Sequence, residues 1–255
     1  NMTFVPKSDG SLRPCLDPRQ LNSMILFDPE PIVSVEQMLR NLDPNAKVFV
    51  VIDLAKGYNA IKCTEEARKY LGFYGPKNGV FTFNVMPFGV WTAGAVYSRA
   101  VSILLGPVRM SFFADDGIAG AANYRKLVEI LRELLAHCRQ HGLPVATRKI
   151  QVGPRVKYLG WIVSQGAIDP DPEKAQGIVD FPSPGALTEP RKCRTRLRQF
   201  LGAARFLAPS VPSLGQLCAP LNPLVSNKRE WKWTPVHENA FGRIKAAVAN
   251  AVQRS

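Results

Sequence analysis

SFFADDGIAG (residues 111–120) sets two adjacent aspartates, Asp115 and Asp116, directly behind an apolar and aromatic run. Asp-Gly after an apolar strand is a strong hairpin signal, because the turn needs positive φ and both residue types tolerate it. Two carboxylates at the tip of such a hairpin would equally suit a metal site. These ten residues alone support both readings, and the rest of the chain has to separate them.

KVFVVIDL (residues 47–54) is a near-continuous apolar run closed by Asp53. A run of this kind fits a strand buried on both faces. An isolated buried carboxylate is very costly, so Asp53 needs a cation. If this strand neighbours the one at 111–120, then Asp53, Asp115 and Asp116 meet at one sheet edge. Three such carboxylates make a hard-oxygen site suited to Mg²⁺. Paired Mg²⁺ ions stabilise the attacking and leaving oxygens of an in-line phosphoryl displacement.

Composition points the same way. The chain has 255 residues, 46% of them hydrophobic, enough for a sizeable core. Its 33 Lys+Arg against 20 Asp+Glu leave a formal charge of +13, a balance that favours polyanion partners, above all nucleic acid. Five cysteines (Cys15, Cys63, Cys138, Cys193, Cys218) are dispersed and form no C-x-x-C pair. That argues against a disulfide framework or a zinc ribbon and for a reducing compartment. His137 and His141, four apart with Cys138 between them, lack further ligands nearby in sequence and read as a solvated helix face. No apolar run approaches the roughly 18 residues that span a bilayer, and the opening NMTFVPKSDG carries no signal-peptide pattern.

Along the chain, TFVPKSDGSLRPCLD (3–17) reads as a hairpin turning at 8–11, and DPEPIVSVEQMLRNL (28–42) as a Pro-rich connection into a short helix. Strand signals follow in YLGFYG (70–75) and VFTFNVMPFG (80–89), then a small-residue helix in TAGAVYSRAVSILLG (92–106). NYRKLVEILRELLAHCRQHG (123–142) is the clearest helix. Leu127, Ile130, Leu131, Leu134, Leu135 and Cys138 form its apolar stripe and Gly142 its C-terminal cap. VKYLGWIVSQGAI (156–168) reads as a second hairpin turning at 164–166. From about residue 169 the chain is Pro-rich and basic, leading to the helix RKCRTRLRQFLGAARFL (191–207).

Taken together and in order, VPKSDGSLRPCLDPRQLN, VIDLAKGYNAI, VFTFNVMPFG, FFADD, the Lys149 segment, KYLGWIVSQGAI with DPDPEK, RLRQFLGAARF and WKWTPVHENAF resemble the reverse transcriptase of LTR retroelements. The likeness is to the gypsy type and its caulimovirus and retroviral relatives. The resemblance implies an α+β right-hand polymerase, with an antiparallel-sheet palm backed by helices. Residues 1–28 and 61–87 would be fingers, 29–60 and 88–168 palm, 169–225 thumb, and 226–255 the start of a connection. It implies Asp53, Asp115, Asp116 and Lys149 as catalytic residues, with Asp53, Leu54, Asp115 and Asp116 around two Mg²⁺ (Mn²⁺ as substitute).

By the same likeness Lys7, Arg13, Tyr58, Phe88, Gly89 and Ala114 would bind the nucleotide. Tyr158, Leu159, Gly160 and Trp161 would form a primer grip, and Arg194 and Arg198 on the 191–207 helix would track the duplex. Lys7 and Arg13 read equally as solubilising charge on a turn, and Tyr58 and Trp161 equally as core aromatics. Pro18, Gly94, Ala114 and Ala146 depart from the family's usual residues.

The implied activity is RNA- and DNA-directed DNA synthesis on a primed template from dNTPs, in the cytoplasm within a virus-like particle or replication complex. RNase H and other Pol domains are expected to be encoded elsewhere, and a dimer is compatible with all of this. Two rivals stand beside it. One is a domesticated, catalytically weak or inactive domain serving nucleic-acid binding or assembly. The other is an RNA-dependent RNA polymerase, against which the Tyr58 ring argues because it would crowd a 2′-hydroxyl.

Overall fold

The computed structural model describes residues 2–6, 10–26, 28, 35–55, 57–75 and 79–253. The chain divides into two compact units, one of residues 1–159 with 164–166 and one of residues 160–163 with 167–255.

In the first unit β1 (Met2–Pro6) and β2 (Leu12–Leu16) pair antiparallel as the expected hairpin, whose turn at 7–9 lies outside the described residues. Two short helices come next, α1 (Arg19–Met24) and α2 (Val35–Arg40). β3 (Val48–Asp53) is buried at every position except Asp53, which is half-buried. Beyond it lie α3 (Gly57–Ala60), α4 (Glu65–Arg68), and a small antiparallel ribbon of β4 (Gly72–Tyr74) with β5 (Val80–Thr82).

The helix α5 (Ala93–Leu105) leads into the hairpin of β6 (Ser111–Phe113) and β7 (Asp116–Ala121). α6 (Tyr124–His141) is capped at its start by Asn123, whose side chain accepts from the Lys126 amide at 3.0 Å. Gly142 closes it in the left-handed region at φ 66. The unit ends with a 3₁₀ turn (Thr147–Lys149), β8 (Gln151–Gly153) and β9 (Arg155–Tyr158).

The central sheet has the order β6-β7-β3-β8, antiparallel throughout. The run read as a doubly buried strand therefore sits between two antiparallel partners. Val50 and Ile52 pack with Tyr97, Val101 and Leu105 of α5 and with Leu127, Ile130 and Leu134 of α6. The α6 stripe is narrower than its sequence suggests: Leu131 is partly buried and Leu135 is 44% exposed. At 100° per residue Leu135 lies one step round from Leu134, so a stripe aimed at one sheet keeps the 127, 130/131, 134, 138 set.

β10 (Trp161–Ser164) pairs with β11 (Ala167–Pro170) across the turn at Gly166 (φ 71), and all but Ser164 of the two strands belongs to the second unit. Four helices complete it: α7 (Pro172–Val179), α8 (Pro190–Phe206), α9 (Leu214–Cys218) and α10 (Pro235–Gln253). Their core centres on Phe200, fully buried with ring centroids 4.3 Å from Phe241 and 5.5 Å from Phe181.

Leu134→Ala is expected to lower the unfolding free energy by about 2–5 kcal/mol. Leu135→Ala, one residue on, should stay within about 0.5 kcal/mol of the parent. Urea denaturation followed by far-UV circular dichroism distinguishes the two.

Candidate active site

The strand pairing brings the carboxylates together. β3 and β7 run antiparallel in a register that sets Asp53 opposite Asp116. Asp115 occupies the loop of the β6–β7 hairpin, and the amide of Leu54 donates to its carbonyl at 2.8 Å. The hairpin turn is not where Asp-Gly suggested. Phe113 pairs with Asp116, so Ala114 and Asp115 form the two-residue loop, while Asp116 and Gly117 lie within β7. The positive φ falls on Ala114, at 51. A Cβ-bearing residue there is strained, and such strain persists only where surrounding contacts impose it. Two contacts hold the loop in place, the Leu54 amide and the Tyr158 hydroxyl, which donates to the Asp116 carbonyl at 3.0 Å.

Lys149, on the 3₁₀ turn, donates from Nζ to Asp53 Oδ2 at 2.8 Å while two-thirds of its side chain stays exposed. The Asp53 hydrogen bond, with the Asp116 and Asp115 charges behind it, raises the Lys149 pKa and holds it protonated. Burial lifts the Asp116 carboxyl above the usual carboxylate range, helped by the Asp53 and Asp115 charges and opposed by Lys149. Burial followed by the Asp115 charge pushes the Tyr58 and Tyr97 hydroxyls upward in turn. An open cleft of about 350 Å³ is lined by Asp53, Asp116, Lys149, Gln151, Tyr158 and Leu159 among others.

On the other side of the hairpin, Tyr58 packs edge-on against Phe88 at 5.0 Å and tilts over Tyr97 at 5.2 Å between centroids. Tyr97, from α5, is buried beside Asp115 and was not among the candidate residues; a tyrosine inside a small-residue helix was its only sequence signal. Gly57 permits this crowding, because a Cβ there would lie 2.5 Å from Asp115 Oδ1 and closer still to the Tyr97 hydroxyl. Gly89 takes φ 109, and a Cβ on it would come within 2.6 Å of the Leu16 carbonyl. The sheet edge and its flank thus gather Asp53, Leu54, Tyr58, Phe88, Ala114, Asp115, Asp116 and Lys149. Lys7 lies outside the described residues, and of Arg13 only the backbone pairing with Val5 is described.

Among the described residues no three His, Cys, Asp or Glu side chains already converge as metal ligands. The donors suit a hard divalent cation nonetheless. They are all carboxylate oxygen, burial and the Asp53 and Asp115 charges raise the Asp116 pKa, and a cationic group, Lys149, already sits against Asp53.

Tyr158 and Trp161 are core residues in their respective units: Tyr158 is 1% exposed, and Trp161 is 3% exposed with its ring 5.4 Å from Phe206. Leu159 (φ 48) and Gly160 (φ 86) are consecutive left-handed residues, as in a primed two-residue turn. Arg194 and Arg198 spend their guanidinium groups within the second unit. Arg194 donates to the Arg229 carbonyl and lies over Trp231, and Arg198 donates to the Val225 carbonyl at 2.8 Å and to Asn227 Oδ1 at 3.0 Å. The neighbouring face of α8 carries Arg191, Lys192, Thr195, Arg196 and Gln199 along an open groove.

Solved structures share this fold. The foamy viral protease–reverse transcriptase in complex with double-stranded DNA superposes with a TM-score of 0.82 at 23% identity, over 98% of this chain and 43% of that one. The same enzyme with an RNA/DNA hybrid gives 0.80 at 22% identity, over 97% and 33%. The architecture is that of a right-hand polymerase. The profile of the reverse transcriptase (RNA-dependent DNA polymerase) family matches residues 5–163, and the chain belongs to that family. The transposon Tf2-3 polyprotein of Schizosaccharomyces pombe is 29% identical over 251 residues, and its Tf2-7 counterpart 28%. Each alignment covers 97% of this chain, which spans 18% of the polyprotein's length. Among the described residues no helix is long and apolar enough to cross a membrane.

A carboxyl whose folded pKa is raised contributes stability at low pH and loses it as pH climbs from its unfolded value, about 3.9, through the raised one. In EDTA the protein is therefore expected to melt at falling temperature across that window through Asp116, and Asp116→Asn should flatten this part of the profile. Thermal melts at stepped pH check it. Tyr158→Phe, which removes the part-buried hydrogen bond to the Asp116 carbonyl, should cost about 0.5–1.5 kcal/mol in chemical denaturation.

Proposed function

We propose that this chain is the polymerase region of an LTR-retroelement Pol protein and copies a primed RNA or DNA template into DNA. The primer 3′-hydroxyl would attack the α-phosphate of a dNTP and release pyrophosphate. The observation that supports this most directly is the Asp53–Asp116 register, which sets carboxylates from two strands at one open sheet edge in a member of this family.

Asp53 and Asp115 would be the principal holders of two Mg²⁺, Asp116 would assist, and the Leu54 carbonyl would add an oxygen; Mn²⁺ could substitute. Bound there, a divalent pair supplies charge neutralisation at the entering and leaving oxygens. The side chains carry the remaining tasks. Lys149, kept protonated by Asp53, would give a proton to the departing pyrophosphate. Tyr58, wedged between Phe88 and Tyr97, would stand where a ribose 2′-hydroxyl needs room and so favour deoxynucleotides. Gly57 and Gly89 would let the backbone approach sugar and base. Lys7 and Arg13 would close over the triphosphate, as point charge and bidentate fork respectively.

The subdomain assignment belongs to the same reading: fingers at 1–28 and 61–87, palm at 29–60 and 88–168, thumb at 169–225, and the start of a connection at 226–255. Tyr158 to Trp161 would act on the primer through the turn they build. Arg194 and Arg198 would act on the duplex through the loop they brace. RNase H activity would come from elsewhere in the polyprotein, and the working location would be a cytoplasmic particle or replication complex.

Primer extension on an RNA template with Mg²⁺ and dNTPs tests the reading. Asp115→Asn is expected to reduce extension by more than about a hundredfold, and Tyr58→Ala to admit NTPs that the parent rejects. Template–primer binding by the parent with no extension, in a polyprotein that restores its flanking domains, would overturn the polymerase assignment.

A further inference from the structure

Tyr97 carries a hydroxyl where packing alone asks only for a ring. It comes from α5, is 1% exposed, and sits in the core with Val50, Ile52, Val101 and Leu105. A phenylalanine would fill that space equally well, and a buried hydroxyl without a partner is costly. Among the described residues the Tyr97 oxygen is sealed from water and finds no partner except the Asp115 carboxylate.

The backbone is shaped for this meeting. A Cβ on Gly57, at the start of α3, would stand 2.5 Å from Asp115 Oδ1 and closer still to the Tyr97 hydroxyl. The two oxygens therefore converge over one point that glycine leaves open. The Tyr97 ring is walled in, because Tyr58 tilts over it at 5.2 Å and Phe88 closes on Tyr58 at 5.0 Å. Phe88 in turn stands on a turn that Asn22 clasps. The Trp91 amide donates to Asn22 Oδ1 at 2.9 Å, and Asn22 Nδ2 donates to the Gly89 carbonyl at 3.0 Å.

Asp115 needs such a hold. It sits beside Ala114 in the two-residue loop, and the two bonds that brace this loop both grip main-chain carbonyls. Neither sets the direction of its carboxylate. Asp53 has Lys149 for that purpose, at 2.8 Å. We propose that Tyr97 is the positioning residue of Asp115. Its hydroxyl donates to the carboxylate and fixes the direction in which the remaining lone pairs face, so that a divalent cation meets a ligand already oriented. This role depends on Asp115 being a metal ligand, as proposed above. An ionised carboxylate has about four acceptor sites, so one donated bond leaves room for the cation. Removing a group that orients a ligand in this way typically weakens metal binding by about 10–100-fold.

Tyr97→Phe keeps the ring and removes only the oxygen, and a cooperative thermal melt in EDTA checks that its fold is kept. Mn²⁺ titration without nucleic acid or nucleotide, followed by the electron paramagnetic resonance of the free ion, tests the assignment. Tyr97→Phe should bind Mn²⁺ about tenfold or more weakly than the parent. In the Asp115→Asn background, where the remaining carboxylates bind the ion more weakly, Tyr97→Phe should add less than about twofold. The Mg²⁺ concentration for half-maximal primer extension should rise with the Mn²⁺ dissociation constant, while KM for dNTP at saturating Mg²⁺ stays within about twofold.

A Tyr97→Phe protein with the parent's Mn²⁺ affinity overturns the proposal. Equal losses in the parent and Asp115→Asn backgrounds also overturn it, because the hydroxyl would then act elsewhere than on Asp115. A parent whose Mn²⁺ binding is indifferent to Asp115→Asn overturns the positioning role together with the metal site. Mn²⁺ binding that depends on both Tyr97 and Asp115, in a protein unable to extend a primer, would leave the positioning role standing and remove only the polymerase reading.

Discussion

The β3–β7 register is the constraint on which the site depends. Val50, Ile52 and Ala119 are buried to 1% exposure or less on the face packed by α5 and α6, while Phe49, Val51 and Ile118 are buried on the other, so a slip of one residue would exchange the two sets and unseat both. The core therefore fixes the register, and the register in turn fixes Asp53 opposite Asp116. Directly opposed residues in an antiparallel pair have Cβ atoms about 4.5–5.5 Å apart, and like charges there are destabilising. Hydrophobic burial overrides this repulsion, and Lys149 partly relieves it from the one open side. The carboxylates are close because the core leaves them no alternative.

The hairpin tip obeys the same logic. A two-residue loop is the shortest way to bring β6 back as β7, and it places Ala114 at φ 51. Glycine or asparagine would sit there with less strain. The cost is met by bonds from elsewhere in the unit: Leu54 grips the Asp115 carbonyl, and Tyr158 grips that of Asp116. Both grips are on the backbone, so neither uses a carboxylate oxygen; Asp53 Oδ2 accepts from Lys149, and the Asp115 carboxylate lies beside the Tyr97 hydroxyl. A turn held by its main chain keeps its shape without using its carboxylates for that task.

Sequence periodicity revealed the elements that carry a strong local signature: the doubly buried β3, the capped amphipathic α6, the hairpin at Gly166 and the helix α8. Where several residue types competed for one role, it was less informative. Asp-Gly marked the β6–β7 turn two residues too late, because Phe113–Asp116 pairing and not turn propensity decided it. Leu135 fits an apolar stripe by spacing, yet the angle at which α6 meets the sheet leaves it outside. The clasp of Asn22 on Gly89 and Trp91 joins residues nearly seventy positions apart, and no local pattern encodes such a bond. Tyr97 was hidden for the same reason, since only the fold brings it to Asp115.

The arginines of α8 show most clearly what charge counting leaves out. Arg194 and Arg198 are four apart and share one face, and that face meets the loop at 225–231, whose carbonyls and Asn227 side chain accept from them. A guanidinium bonded to backbone carbonyls keeps its charge but has fewer N–H groups left for phosphate. Arg191, Lys192 and Arg196 lie round the helix along the open groove, with Lys192 paired to exposed Glu189. The same helix therefore divides its cations between bracing its own unit and facing solvent. A formal charge of +13 describes the attraction that a polyanion feels from a distance. Which cations touch it depends on which ones the fold has not already bonded.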